Sequence, residues 1–246
     1  MIPKIIHYCW FGGNPLPESA QKCIASWRKF FPDYEIKEWN ESNFDVNNIP
    51  YTRDAYQAKK YAFVSDYARF KILYEYGGIY FDTDVEVIKN MDDIIQRGAF
   101  MGIEVPGKNG DYPLIAPGLG IAAEAGHPIY KKILDCYQDL SFYKEDGSLN
   151  LKTVVKYNTE ILQTNGLMPT NELQDIKGIW IYPVDYFNPL DDLTGKLNIT
   201  PNTHSIHWYS RSWQDSSSFR IWLSRWSHRL FGLTLHNLKN TLFKKK

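Results

Sequence analysis

Two aspartates two residues apart, Asp82 and Asp84, leave a short apolar run, Ile79 to Phe81, that itself follows Gly77-Gly78. Carboxylates at this spacing converge on one point when the chain turns after a strand. Their hard oxygens suit Mg²⁺ or Mn²⁺, cations that also bridge diphosphate oxygens. By itself the spacing is equally that of a solvated loop. Upstream, Asp66 and Arg69 stand three apart and share a helical face with Leu73. One reading is an intrahelical ion pair, worth a few tenths of a kcal/mol when exposed. The other is an acceptor for ligand hydroxyls beside a planar guanidinium fork for oxygens, both aimed at the sheet edge where Asp82 stands. A late stretch, His204 to Trp213, contributes His207, whose imidazole suits Mn²⁺ better than Mg²⁺ or else is a hydrogen-bonded core histidine; His204 is the weaker candidate. Trp10 ends the apolar opening of the chain. It is either core or an indole face at a strand's carboxyl end, where open α/β sheets bind ligands.

These groups need a scaffold, and the hydrophobic pattern supplies one. Ile2 to Trp10 reads as a buried strand closed by Gly12-Gly13, Pro17 to Phe30 as a helix, and Tyr34 to Trp39 as a second strand. This β-α-β opening predicts a mostly parallel sheet with helices on its faces. Thr52 to Tyr76 reads as the longest helix, with Phe63, Phe70, Leu73 and Tyr74 as its stripe, and Ile79 to Phe81 and Val85 to Ile88 as strand. Further on, Phe100 to Val105, Gly118 to Ala123, Ile179 to Val184 and Ser205 to Trp208 are expected strands. His127 to Leu140 and Val154 to Thr164 are expected helices, and Gly107 to Pro113 a polar loop. The interval from Gly98 to Ala123 is expected to floor the pocket.

With 246 residues the chain holds one sizeable α/β domain, here bounded as 1–216, followed by a tail, 217–246. A formal charge of zero hides an asymmetry: after Asp215 the chain has seven basic and no acidic residues. Phe219, Trp222, Leu223, Trp226 and Leu230 share one helical face of that tail, and Lys244 to Lys246 close it. Such a stretch suits an interfacial helix on anionic lipid, although a dimer interface or packing on the domain accounts for the apolar face equally well. Nucleic acid is not expected, because no binding motif accompanies the charge. Three cysteines without metal-type spacing read as free thiols. No signal-type stretch or membrane-length run stands out, so the body is expected to be cytoplasmic, peripheral on the inner face of the plasma membrane through its tail.

The string Ser65-Asp66-x-x-Arg69, Leu73, Gly77-Gly78-Ile79-Tyr80-x-Asp82-x-Asp84, with Ile5 to Gly13 before it, closely resembles the signature of glycosyltransferase family 32. It is also similar to the catalytic domain of the large clostridial glucosylating toxins. The resemblance implies a GT-A fold and a metal-dependent, retaining transfer of a hexose or N-acetylhexosamine from a UDP-sugar. The setting implied is capsule, O-antigen or exopolysaccharide assembly with a saccharide acceptor, and the basic tail would suit one that is lipid-linked in the cytoplasmic leaflet. It implies that Trp10 stacks on uracil, with Gly12 letting backbone approach the donor or only forming a turn. Asp66 and Arg69 would contact the donor sugar and phosphates, and Ser65 would face the donor or cap a helix. Asp82 would touch ribose and sugar hydroxyls and a metal-bound water, and Asp84 would ligate Mn²⁺ or Mg²⁺ directly. His207 would complete the metal shell, and Ser212 or Trp213 would bond the phosphate. The competing classes are a metal-dependent phosphotransferase or hydrolase, for which no nucleophilic aspartate motif is found, and a non-catalytic nucleotide-sugar-binding module. For the tail, truncation after Ser218 is expected to abolish sedimentation with anionic liposomes; unchanged sedimentation would refute the lipid role.

Overall fold

The computed structural model describes residues 1–210; Ser212, Trp213 and the whole basic tail therefore lie outside the described residues. The chain opens as expected, with β1 (Ile5–Cys9), α1 (Glu18–Phe30) and β2 (Glu35–Trp39), and β1 and β2 pair in parallel. Helix α1 buries Ala20, Cys23, Ile24 and Trp27, the spacing of one helical stripe, and the Trp27 indole N–H donates to the Val85 carbonyl at 2.8 Å. Glu18 in its first turn and Arg28 and Lys29 in its last complement the helix dipole.

The single long helix expected from Thr52 to Tyr76 is instead two, α2 (Pro50–Gln57) and α3 (Tyr61–Tyr76). Lys59 takes φ +56° and the Lys60 N–H bonds back to the Ala55 carbonyl at 2.9 Å, which ends the first helix. Lysine is a good helix former, so tertiary packing overrides propensity here. The break seats the Tyr61 ring so closely on Gly12 that a Cβ there would lie 2.4 Å from it.

The remaining strands are β3 (Gly78–Tyr80), β4 (Val85–Val87), β5 (Ala99–Val105), β6 (Leu114–Ala116), β7 (Ile121–Ala123), β8 (Gln174–Ile176), β9 (Ile179–Tyr182) and β10 (Ser205–His207). The helices are α4 (Asp92–Arg97), α5 (Pro128–Gln138), α6 (Val154–Gln163) and α7 (Val184–Phe187). Of the expected strand from Gly118 to Ala123 only β7 is extended, because Pro117–Leu119 turns as a short 3-10 helix. Likewise the strand expected to reach Val184 stops at Tyr182, where Pro183 removes a donor and α7 begins.

Among the described residues the central sheet has eight strands in the order β2-β1-β3-β7-β5-β9-β8, with β6 paired to β5. From the pairings, β1, β2, β3, β5 and β9 run one way, and β6, β7 and β8 the other. A separate two-stranded ribbon joins β4 to β10. Successive residues alternate between two cores, as a sheet covered on both faces demands. Ile79, Phe81, Phe100 and Ala122 pack on the side of α1, α4 and α7, while Tyr80, Met101, Ile121 and Ala123 pack on the side of α2, α3, α5 and α6.

Close approach of β3 to β1 depends on Gly78, at φ +104°. A Cβ there would stand 2.6 Å from the Ile5 carbonyl oxygen and 3.0 Å from His7 Nε2. His7 is fully buried at this junction. Its Nε2–H donates to the Gly77 carbonyl at 2.9 Å and its Nδ1 accepts from the Trp39 indole at 3.0 Å, an arrangement that fits only the neutral ring. Burial is the main cause that lowers its pKa from 6.5 to about 4, with Lys37 adding to it and the Gly77 bond opposing. Above pH 6.5 the ring is neutral folded or unfolded and its contribution is intact. Below that value the unfolded chain takes up the proton first, so stability falls with pH until the folded ring titrates near 4. The loss is expected to reach about 3 kcal/mol. Urea unfolding of wild type and His7→Phe at neutral and acid pH checks this: the variant should be weaker at neutral pH and show a flatter acid slope. Equal slopes would assign the acid sensitivity to another group.

Candidate active site

At the carboxyl ends of β1, β3 and β5 opens a cavity of about 590 Å³, walled by α3, the 3-10 turn and the segment after β10. This is the size of a small-molecule site, and it lies where parallel sheets bind ligands. The interval expected to floor it supplies Glu104, Ala116, Gly118 and Leu119.

Arg69 organises the inner wall. Although it is only 4% exposed, its Nη2 donates to Asp66 at 3.0 Å and to Asp82 at 3.2 Å, and its Nε donates to the Ser65 carbonyl at 3.1 Å. Its guanidinium stands over the Tyr80 ring, 5.0 Å from the centroid, and the Tyr80 hydroxyl donates to Asp82 at 3.0 Å. The Asp66–Arg69 pair is therefore neither the exposed surface pair nor a free fork: it reaches β3 and holds the first aspartate of the D-x-D. Burial pushes the Asp66 carboxyl up to about 7, Arg69 opposing and the nearby Asp82 reinforcing. Burial likewise raises Asp82, with Arg69 the main opposing influence.

Asp84 faces the other way. Its Oδ1 lies 3.1 Å from His207 Nε2, while its Oδ2 accepts from the Ser210 N–H at 2.8 Å and the Ser210 hydroxyl at 3.0 Å. Burial favours the neutral acid here too, yet His207 and Ser210 outweigh it and hold the carboxyl well below the usual range. Burial pulls His207 down, but Asp84, Asp82 and Glu104 raise it on balance. The ligand atoms of Asp82, Asp84 and His207 lie within 4.8 Å of one another. Two oxygens and one nitrogen are a donor set that fits Mn²⁺ or Mg²⁺. Nε2 of His207 faces the cluster, while its Nδ1 is buried without a hydrogen-bond partner among the described residues.

Trp10 is half-buried, lining the cavity and also packing against the core on the α1 side of the sheet, its indole N–H donating to the Asn14 carbonyl at 2.6 Å. Ser65 also lines the cavity, but it lies within α3 and its hydroxyl bonds back to the Tyr61 carbonyl at 3.2 Å, so the cap reading is corrected. Gly12 is not part of the wall: its N–H is committed to Glu41 at 2.6 Å, and Tyr61 covers it, which makes it a turn residue. His204 is buried elsewhere, stacked on Tyr186 with 5.7 Å between ring centroids.

Two wall residues lie in the expected interval but are not singled out by the sequence pattern. Gly118 leaves room for the Asp82 carboxylate, since a Cβ there would lie 2.2 Å from Asp82 Oδ2. Glu104 is the lone charge in the apolar strand β5, which is the one sequence signal that marks it. Removing the cation between the inner carboxylates should be costly: Arg69→Met is expected to destabilise by about 3–5 kcal/mol, because it leaves buried carboxyls uncompensated. Adding Asp66→Asn should recover part of that loss in urea denaturation; an additive double variant would disprove the coupling.

Residues 17–101 match the family described as "Glycosyltransferase sugar-binding region containing DXD motif". An uncharacterized glycosyltransferase of Acanthamoeba polyphaga mimivirus is 27% identical over 197 residues, 76% of each chain. Inositol phosphoceramide mannosyltransferase 3 of Schizosaccharomyces pombe is 34% identical over 104 residues, which are 41% of this chain and only 29% of that enzyme. Among solved structures, the PaToxG glycosyltransferase superposes with a TM-score of 0.49 at 22% identity, covering 66% of this chain and 69% of that one.

Proposed function

We propose that this chain, whose residues 17–101 match the DXD-containing glycosyltransferase family, transfers a hexose or N-acetylhexosamine from a UDP-sugar to a saccharide acceptor, with retention of configuration. The observation that carries the reading is the meeting of Asp82, Asp84 and His207 at one cavity with Trp10 and the Asp66–Arg69 pair. Asp84 and His207, with Asp82, would hold Mn²⁺ or Mg²⁺. When bound, such a cation neutralises the diphosphate as it departs.

The chain's own residues do the rest. Trp10 offers an indole face to the uracil base at the mouth of β1. Arg69 keeps Asp82 oriented and adds a fixed positive charge beneath the phosphates, a contribution preorganised because the side chain is already braced. Ser65 and Asp66 line the same wall, where Asp66 accepts from donor hydroxyls. The family resemblance gives the phosphate contact to Ser212 or Trp213, which lie outside the described residues. Retention needs no dedicated base if the leaving phosphate takes the acceptor's proton on the face of attack; trapping of a glycosyl-enzyme adduct would sink that route.

The inositol phosphoceramide mannosyltransferases support a hexose as the group moved and a lipid-borne acceptor. An acceptor of that kind suits a catalytic domain over 1–216 and a basic tail, 217–246, resting on the cytoplasmic leaflet. Among the described residues no helix is long and apolar enough to cross a membrane.

The test is donor hydrolysis by purified protein with UDP-, GDP- and dTDP-sugars, with Mn²⁺, with Mg²⁺ and with EDTA. One nucleotide is expected to be released only with metal, and Asp84→Ala is expected to slow that release by roughly 10²-fold or more. Metal-independent release, or an unaffected variant, would overturn the assignment of the site.

A further inference from the structure

Glu104 is the only charged residue of β5. The register of β5 against β6 shifts between Ile103 and Val105, so Glu104 stands at a bulge, the irregularity by which strands re-aim a side chain. Its carbonyl is pinned by the Asn188 side-chain amide at 3.0 Å, and its side chain forms part of the cavity wall. There, among the described residues, the carboxylate receives one long hydrogen bond, from the Tyr209 hydroxyl at 3.3 Å. Tyr209 is held at φ +50°, with its ring edge-on to His207 and centroids 4.3 Å apart. The ion pairs of the cavity join Arg69 to Asp66 and Asp82, and His207 to Asp84; among the described residues none reaches Glu104. A carboxylate accepts about four hydrogen bonds, so most of this one's capacity is left for a ligand.

Position says which part of the ligand. Along the sheet the order is β1, β3, β7, β5. Trp10 stands just past the end of β1, the D-x-D follows β3, and Glu104 is on β5, two strands further along the sheet, its carboxylate separated from His207 by the Tyr209 ring. Base, diphosphate and sugar follow one another in a nucleotide sugar in the same order. With the base at Trp10 and the diphosphate at the metal cluster, the sugar falls beside Glu104.

We propose that Glu104 binds the hydroxyl groups of the hexose being transferred and so selects the donor by its sugar, with Tyr209 as the positioning residue that aims it. The inference rests on the donor reading given above. Hydroxyls are the donors such a carboxylate lacks, and a sugar that misplaces one leaves the charge unpaired, which is how polar sites discriminate.

The test is calorimetric titration of the full chain in Mn²⁺ with UDP, UDP-glucose, UDP-galactose, UDP-N-acetylglucosamine, GDP and GDP-mannose. Glu104→Gln and Glu104→Ala are expected to leave affinity for the bare nucleoside diphosphate unchanged. Affinity for its sugar conjugate should fall roughly 10- to 100-fold for the alanine variant and less for glutamine, which keeps one acceptor. Preference among the UDP-sugars should flatten. Tyr209→Phe, which keeps the ring, should give a smaller loss of the same selective kind, and thermal melting confirms that each variant is folded. Equal weakening of nucleotide and nucleotide sugar would overturn the inference, placing Glu104 with the metal cluster. Unchanged donor binding with lost transfer would overturn it in favour of the acceptor. If the wild type binds no nucleotide, the donor reading itself fails, a result distinct from either.

Discussion

The site depends on one buried guanidinium. Arg69 sits between two carboxylates that burial alone would neutralise, and it is held by the backbone of its own helix and by the face of Tyr80. Without that cation Asp66 and Asp82 would be two buried acids side by side, and at least one would bind a proton. Because the brace spans α3 and β3, helix and strand are locked in register at the point where the chain leaves the sheet as Asp82-Thr83-Asp84. The short Gly77-Gly78 turn permits this, and Gly118 opposite leaves the space.

The two aspartates of the D-x-D consequently live in different electrostatic worlds. Asp82 is buried against Arg69 and Tyr80, with its pKa raised; Asp84 is tied to His207 and Ser210, with its pKa lowered. Two residues of the same type at a spacing of two are thereby given separate tasks, one oriented by the helix and one closed over by the last described strand. Divergent environments for like groups are the usual physical sign of a working site rather than a solvated loop.

Much of this was legible in the chain. The β-α-β opening and the D-x-D after a short buried strand follow from hydrophobic period and glycine punctuation. Asp66 and Arg69 were legible as a pair, but not as a buried bridge, because burial depends on α5 and α6 packing over α3. The break at Lys59 could not be read, since it answers to Tyr61 covering Gly12 and not to local preference. Three-residue strands such as β6 and β8 fall below the length at which alternation can be told from chance. The bulge that presents Glu104 exists only relative to its partner strand, so no property of β5 alone reveals it.

The ribbon of β4 and β10 bears on how the molecule is made. Its partners are far apart in sequence: Val85 pairs with His207 and Val87 with Ser205. Asp84 emerges early in synthesis, whereas His207 and Ser210 follow only after the central sheet has been translated in full. Closing so long a loop carries an entropic cost that only the assembled sheet can offset. A partly synthesised chain therefore has Asp82 and Asp84 but not yet the imidazole that faces them in the folded molecule. On the proposed metal-dependent reading, capture of the cation would thus be a late event in maturation, reserved for chains whose core is already complete.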